Sequence, residues 1–156
     1  LVGGDDDDTR TGPISSVLPA SGLGYRTYKR EAGGADQVGT GAFVNDLKEI
    51  GQDWAAKGYA PVSLGDISRK GGGKAPGHDG HRHGNEIDVR PIRNDQSGAG
   101  TTWKSSSYDR DATREFINTV RERHPDAVVL FNDPQLIKEG LTQRYDKHDD
   151  HLHLRW

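Results

Sequence analysis

Residues Gly77–Ile92 read GHDGHRHGNEIDVRPI, and this stretch decides how the rest of the chain is understood. It gathers His78, His81 and His83 with Glu86 and Asp88, and its second half alternates. In EIDVR, Ile87 and Val89 fall on one side of a strand, and Glu86, Asp88 and Arg90 on the other. Three of the four remaining histidines crowd into HDDHLHLRW, His148–Trp156, which alternates in the same sense. There Leu152 and Leu154 would turn to the core and His151, His153 and Arg155 to the opposite face. Placed in one sheet, the two segments would line a cleft with imidazole and carboxylate.

Between and around them the elements are short. GAFVNDLKEIGQDWAAKGY places Phe43, Leu47, Ile50 and Trp54 at helical spacing, with Gly58 positioned to end the helix. APVSLGDIS reads as a strand through Val62 and Leu64, extending as far as Ile67, with Asp66 and Ser68 at its end. RKGGGKAPGHDG is the loop that delivers the first histidine cluster. Asp109 or Asp111 opens a second helix carrying Phe116, Ile117 and Val120, stopped at His124-Pro125. DAVVLF is a buried strand by composition, and NDPQLIKEG a turn with one helical turn. Strands and helices interleave irregularly, so the expected fold is α+β: a small central antiparallel sheet flanked by helices, with the site in a cleft on the sheet. The acidic run Asp5–Asp8 suggests a flexible leader over residues 1–12, followed by one domain over 13–156.

Composition narrows the function classes. The chain has 156 residues, a net charge of −3, and no cysteine. A 31% hydrophobic content is thin, but 21 glycines make up the shortfall of a loop-rich globular domain. Nothing resembles the basic stripe of a nucleic-acid binder. No apolar run reaches the ~18 residues of a membrane span. Lack of cysteine excludes disulfides and thiolate metal sites together. The start at Leu1 without a hydrophobic leader reads as a mature form or an excised domain.

Two imidazoles and a carboxylate without thiolate suit a borderline divalent ion such as Zn²⁺, and three protein ligands leave a coordination position open for chemistry. The pattern His81-x6-Asp88 followed by His151-x-His153 resembles the signature of the zinc peptidases grouped with lysostaphin, the D-alanyl-D-alanine metallopeptidases and the hedgehog fold. The penicillin-insensitive murein endopeptidases are the nearest branch. LPASGLGY, GDISRKGGG, GHDGHRHGNEIDV, YDRDATREF, LFNDP and HDDHLHLR echo it in order, over most of the chain after Pro13.

The resemblance implies His81, Asp88 and His153 as zinc ligands and His151 as general base or oxyanion stabiliser. His78, His148, Glu86, Asp66 and Ser68 are candidates for orienting ligands, water or substrate. His83 and His124 are read as solvent-side residues. The implied reaction is hydrolysis of a D-amino-acid-containing peptide bond in peptidoglycan stem peptides, with the D-alanyl–meso-diaminopimelyl cross-link first in order. The implied compartment is periplasmic or secreted. A lysin or secreted antibacterial toxin cutting another stem-peptide bond stays open, as does a zinc-stabilised binding module. The chain departs from the branch in having no disulfide cysteines. An imidazole at 151, where related carboxypeptidases carry a carboxylate, favours the endopeptidase type.

Overall fold

The computed structural model describes residues 12–73, 81 and 83–156. The expected leader (all but residue 12) and His78 lie outside the described residues.

Strands β1 (Ile14–Val17), β2 (Ser21–Gly22), β3 (Tyr25–Thr27) and β4 (Val38–Thr40) precede helix α1 (Gly41–Ala56). Then come β5 (Val62–Leu64), β6 (Glu86–Val89), α2 (Arg110–Arg123), β7 (Val128–Leu130), α3 (Pro134–Lys138) and β8 (Leu152–Arg155). β1 and β4 form a two-stranded antiparallel sheet, and the other six strands form the main sheet in the order β2-β3-β5-β6-β8-β7.

The expected α+β class holds, with one correction. The main sheet is mixed, because β3 and β5 run parallel, pairing Tyr25 with Val62 and Thr27 with Leu64. Parallel neighbours need a long crossover, and here α1 lies within it. Helical periodicity identified α1 but carried no information on which strands it joined.

Each of the three α-helices among the described residues starts on a side-chain cap. Thr40 accepts the Phe43 N–H at 3.1 Å, Asp109 accepts that of Ala112 at 2.9 Å, and Asp133 accepts that of Gln135 at 3.0 Å. Phe43, Leu47, Ile50 and Trp54 of α1 pack with Phe116, Ile117 and Val120 of α2 in the core. Trp54 stacks on Tyr59 at 3.9 Å and meets Phe116 edge-on at 5.3 Å. Gly58 follows α1 at φ +90°, a conformation a Cβ would strain. Gly24 (φ +80°) lies against the Gly51 carbonyl, so a side chain at 24 would push β3 off α1.

Alternation divides the main sheet into two faces. Ile87, Val89, Val129, Leu152 and Leu154 are fully buried in the core. Asp88 pairs with His153 and Glu86 with Arg155 on the other face. β8, the last strand in the chain, is inserted between β6 and β7. A further buried carboxylate, Asp133, ties the α2 and α3 starts together. Tyr108 donates its hydroxyl to it at 2.6 Å and Arg110 its Nε–H at 2.8 Å. Burial alone would raise the Asp133 pKa, but these donors lower it.

Among the described residues, no helix is long and apolar enough to cross a membrane.

Candidate metal centre

Asp88 and His153 face each other because β6 and β8 pair in that register. A slip of one residue in β8 would send His153 into the core and bring Leu154 out opposite Asp88. His81 reaches the same point from the loop before β6. It takes a left-handed backbone conformation, φ +62°, which costs a non-glycine residue about 1 kcal/mol. Two bonds hold it there. Its backbone N–H donates to Glu86 Oε1 at 2.7 Å, and its Nδ1–H to the Ile67 carbonyl at 2.7 Å. A carbonyl can only accept, so Nδ1 carries a proton and Nε2 is the ring nitrogen that faces the centre.

His153 is oriented by the opposite nitrogen. Its Nε2 lies 3.1 Å from Glu86 Oε1, leaving Nδ1 3.4 Å from Asp88 Oδ1. His81 Nε2 stands 3.2 Å from the same oxygen. One ligand atom from each of His81, Asp88 and His153 lies within 4.8 Å of the others, and all three residues are buried. Ligands about 2.0–2.1 Å from a zinc-type ion at tetrahedral angles stand about 3.4 Å apart. The two spacings to Asp88 Oδ1, 3.2 and 3.4 Å, match that edge, and with all three ligand atoms within 4.8 Å of one another the donor set could hold a metal ion. Its chemistry, nitrogen and oxygen without sulfur, fits a borderline divalent cation.

Charge is balanced tightly. Burial would raise the carboxyl pKa of Glu86, but the bonds from His153 and the His81 N–H bring it down to about 2. Burial works the same way on Asp88, and the histidines around it again win, holding it far below the ordinary carboxylate range. For His153, burial favours the neutral ring. Hydrogen bonds to Asp88 and Glu86 overcome this and raise its pKa to about 9. Without an ion, a proton on His153 supplies the cation that two buried carboxylates need.

His151 lies just ahead of β8 and is half-buried. Its Nδ1–H donates to Asp150 Oδ1 at 2.8 Å, and its Nε2 points inward, 3.9 Å from Asp88 Oδ1. The His148 ring packs against it at a tilt, with centroids 4.4 Å apart, and donates Nδ1–H to the Asp146 carbonyl. Burial lowers the His148 pKa. The segment carrying both rings is tied down by Asn132 and Trp103. Asn132 donates its N–H to the His148 carbonyl at 2.9 Å and its side-chain amide to Asp149 at 2.9 Å, and Trp103 donates its indole N–H to Asp149 at 3.2 Å.

His81, Glu86, Asp88, His148, His151 and His153 line one broad open groove of about 1240 Å³, which also holds Tyr28, Asp66, Arg90 and Arg155. Asp66 is half-buried in the groove wall, and its carbonyl accepts the Asp88 N–H at 3.2 Å. Ser68 is fully buried outside the groove lining, and its carbonyl accepts the Val38 N–H. Reading the sequence left Glu86 open between holding substrate, orienting a ligand and lying solvated. The structure places it beneath both His81 and His153. A signal was available, since strand parity sets Glu86 on the same face as Asp88. Asp150 as the partner of His151 and Tyr28 in the groove were missed, and no motif marked either. No protein-family model matches the sequence, and no curated protein matches it.

Proposed function

We propose that the chain is a zinc-dependent peptidoglycan hydrolase that cuts a D-amino-acid-containing peptide cross-link, the D-alanyl–meso-diaminopimelyl bond first among them. One observation carries the reading. A buried two-imidazole, one-carboxylate donor set opens onto a groove with a further, carboxylate-backed imidazole beside it. The ordered resemblance to the lysostaphin and D-alanyl-D-alanine peptidase group supports the substrate class.

His81 Nε2, Asp88 Oδ1 and His153 Nδ1 would hold the ion. When bound, such an ion supplies Lewis acidity, polarising a carbonyl and making water acidic near neutral pH. The chain's own residues do the remaining work. Glu86 fixes His153 so that Nδ1 faces the centre, and Ile67 does the same for Nε2 of His81. Asp150 keeps the proton of His151 on Nδ1. Its Nε2 is therefore the atom that takes a proton from attacking water and returns one to the leaving amine. The open groove admits an extended, branched peptide. That substrate puts the working compartment in the periplasm or outside the cell.

The test is digestion of purified peptidoglycan with and without chelator, with fragments identified by mass spectrometry. Chelator-sensitive conversion of cross-linked dimers to monomers is expected. Cleavage at another stem-peptide bond would move the assignment to a lysin or toxin type. Intact peptidoglycan beside fully zinc-loaded protein would leave only a binding module. His151→Ala should keep its zinc and lose turnover by ~10²–10⁴.

A further inference from the structure

The register of the main sheet sets four residues in a row across it. Thr27 pairs with Leu64 and Leu64 with Val89, so Tyr28 and Gly65, one residue beyond β3 and β5, continue the line to Asp88 and His153. The Tyr28 N–H donates to the Leu64 carbonyl at 3.0 Å, and the Gly65 N–H to the Asp88 carbonyl at 2.7 Å. Gly65 has no side chain, and the phenol uses the space. A Cβ at 65 would lie 2.7 Å from both Cζ and the hydroxyl oxygen of Tyr28. The Arg90 guanidinium covers the ring at 4.1 Å from its centroid. The ring is thus held over Gly65, and the residue lines the groove beside His81, Asp88 and His151. Its hydroxyl makes no hydrogen bond to another described residue.

The geometry points to Tyr28 as a further catalytic residue, whose hydroxyl donates a hydrogen bond to the carbonyl oxygen of the bound peptide as negative charge builds there. This rests on the hydrolase reading above. The row places Tyr28 on the β5 side of Asp88 and His153 on the β8 side, with His151 just ahead of β8. Proton transfer and oxyanion stabilisation therefore fall on opposite flanks of the donor set. Burial pushes the Tyr28 phenol above its ordinary pKa, so it keeps its proton and is a donor at neutral pH. A donor already fixed toward developing charge stabilises it without reorganising at the moment of reaction. Gly65 is the complementary requirement, because any side chain there displaces the phenol.

Tyr28→Phe removes one oxygen and keeps the ring packed on Gly65 and under Arg90. With zinc-loaded protein and a cross-linked muropeptide dimer, kcat should fall by about 10²–10³, the cost of one oxyanion donor, with KM and zinc content unchanged. Affinity for a phosphinate analogue of the D-alanyl peptide bond, measured by calorimetry, should fall in parallel. Gly65→Ala should reproduce the loss, and adding Tyr28→Phe to it should cost nothing more. A Tyr28→Phe enzyme within about threefold of the parent in both kcat and phosphinate affinity would sink the assignment. So would fully multiplicative losses in the double variant. A zinc-loaded parent that neither cleaves the dimer nor binds the phosphinate would overturn the hydrolase reading itself, and Tyr28's role with it.

Discussion

Asp133 and Asp88 are both buried carboxylates held ionised by their neighbours, yet they are built for different ends. Asp133 is fully enclosed and is met at 2.6–3.0 Å by a phenol, a guanidinium and a backbone N–H, donors that keep their protons at any ordinary pH. Asp88 Oδ1 is met at 3.2, 3.4 and 3.9 Å by the rings of His81, His153 and His151. Imidazoles can give up a proton, and the first two distances suit the edge of a coordination tetrahedron better than a short charged hydrogen bond. Hydrogen-bond length and donor type separate a carboxylate that organises structure from one that can receive an ion.

Removing a ligand should break the comparison most sharply. His81→Ala or His153→Ala is expected to abolish stoichiometric zinc binding, read by metal analysis after gel filtration, while Asp133→Ala keeps a full complement. Zinc retained by both histidine variants would remove the basis for the centre. Asp133→Ala should act on stability instead, lowering it by about 3 kcal/mol in denaturant unfolding. That is the low end for breaking a buried pair, because Arg110 is partly exposed and can return to water. A loss below about 1 kcal/mol would show that the cluster contributes little.

The smallest effect is in pH, and its sign follows from His153. Its folded pKa of about 9 stands above the unfolded value near ~6.5, so without metal its stabilisation is complete below ~6.5 and fades as pH rises through about 9. An ion must displace that proton. Zinc affinity, followed by chelator competition, should climb about tenfold per pH unit from 7.5 to 9 and level off above. Asp133 offers no such exchange. A flat profile would mean that His153 Nδ1 is not where the ion goes.

Much of the centre was legible because a period of two is hard to disguise. EIDV and HLHL each declared which residues shared a face, and pairing in the observed register set Asp88 against His153. Helix α1 was equally plain from Phe43, Leu47, Ile50 and Trp54. What sequence could not convey was connection and reach. The parallel β3–β5 pair depends on where a crossover lands. The left-handed turn at His81 is a tertiary demand, met by Glu86 and the Ile67 carbonyl rather than by residue type. Tyr28 stood in a glycine-rich stretch read only as short strands and turns, and the space its ring fills is the missing side chain of Gly65, on the far side of β4, α1 and β5 in the chain.

The place of β8 between β6 and β7 also sets a timetable. The strand that brings His153 to Asp88 is translated after both of its neighbours, and until it arrives each of them has an unpaired edge. Closing that gap joins positions 88 and 153, a distant pairing of the kind that slows folding. The donor set therefore comes into being with the final zipping of the sheet. A chain in which β8 has not yet paired carries no assembled donor set.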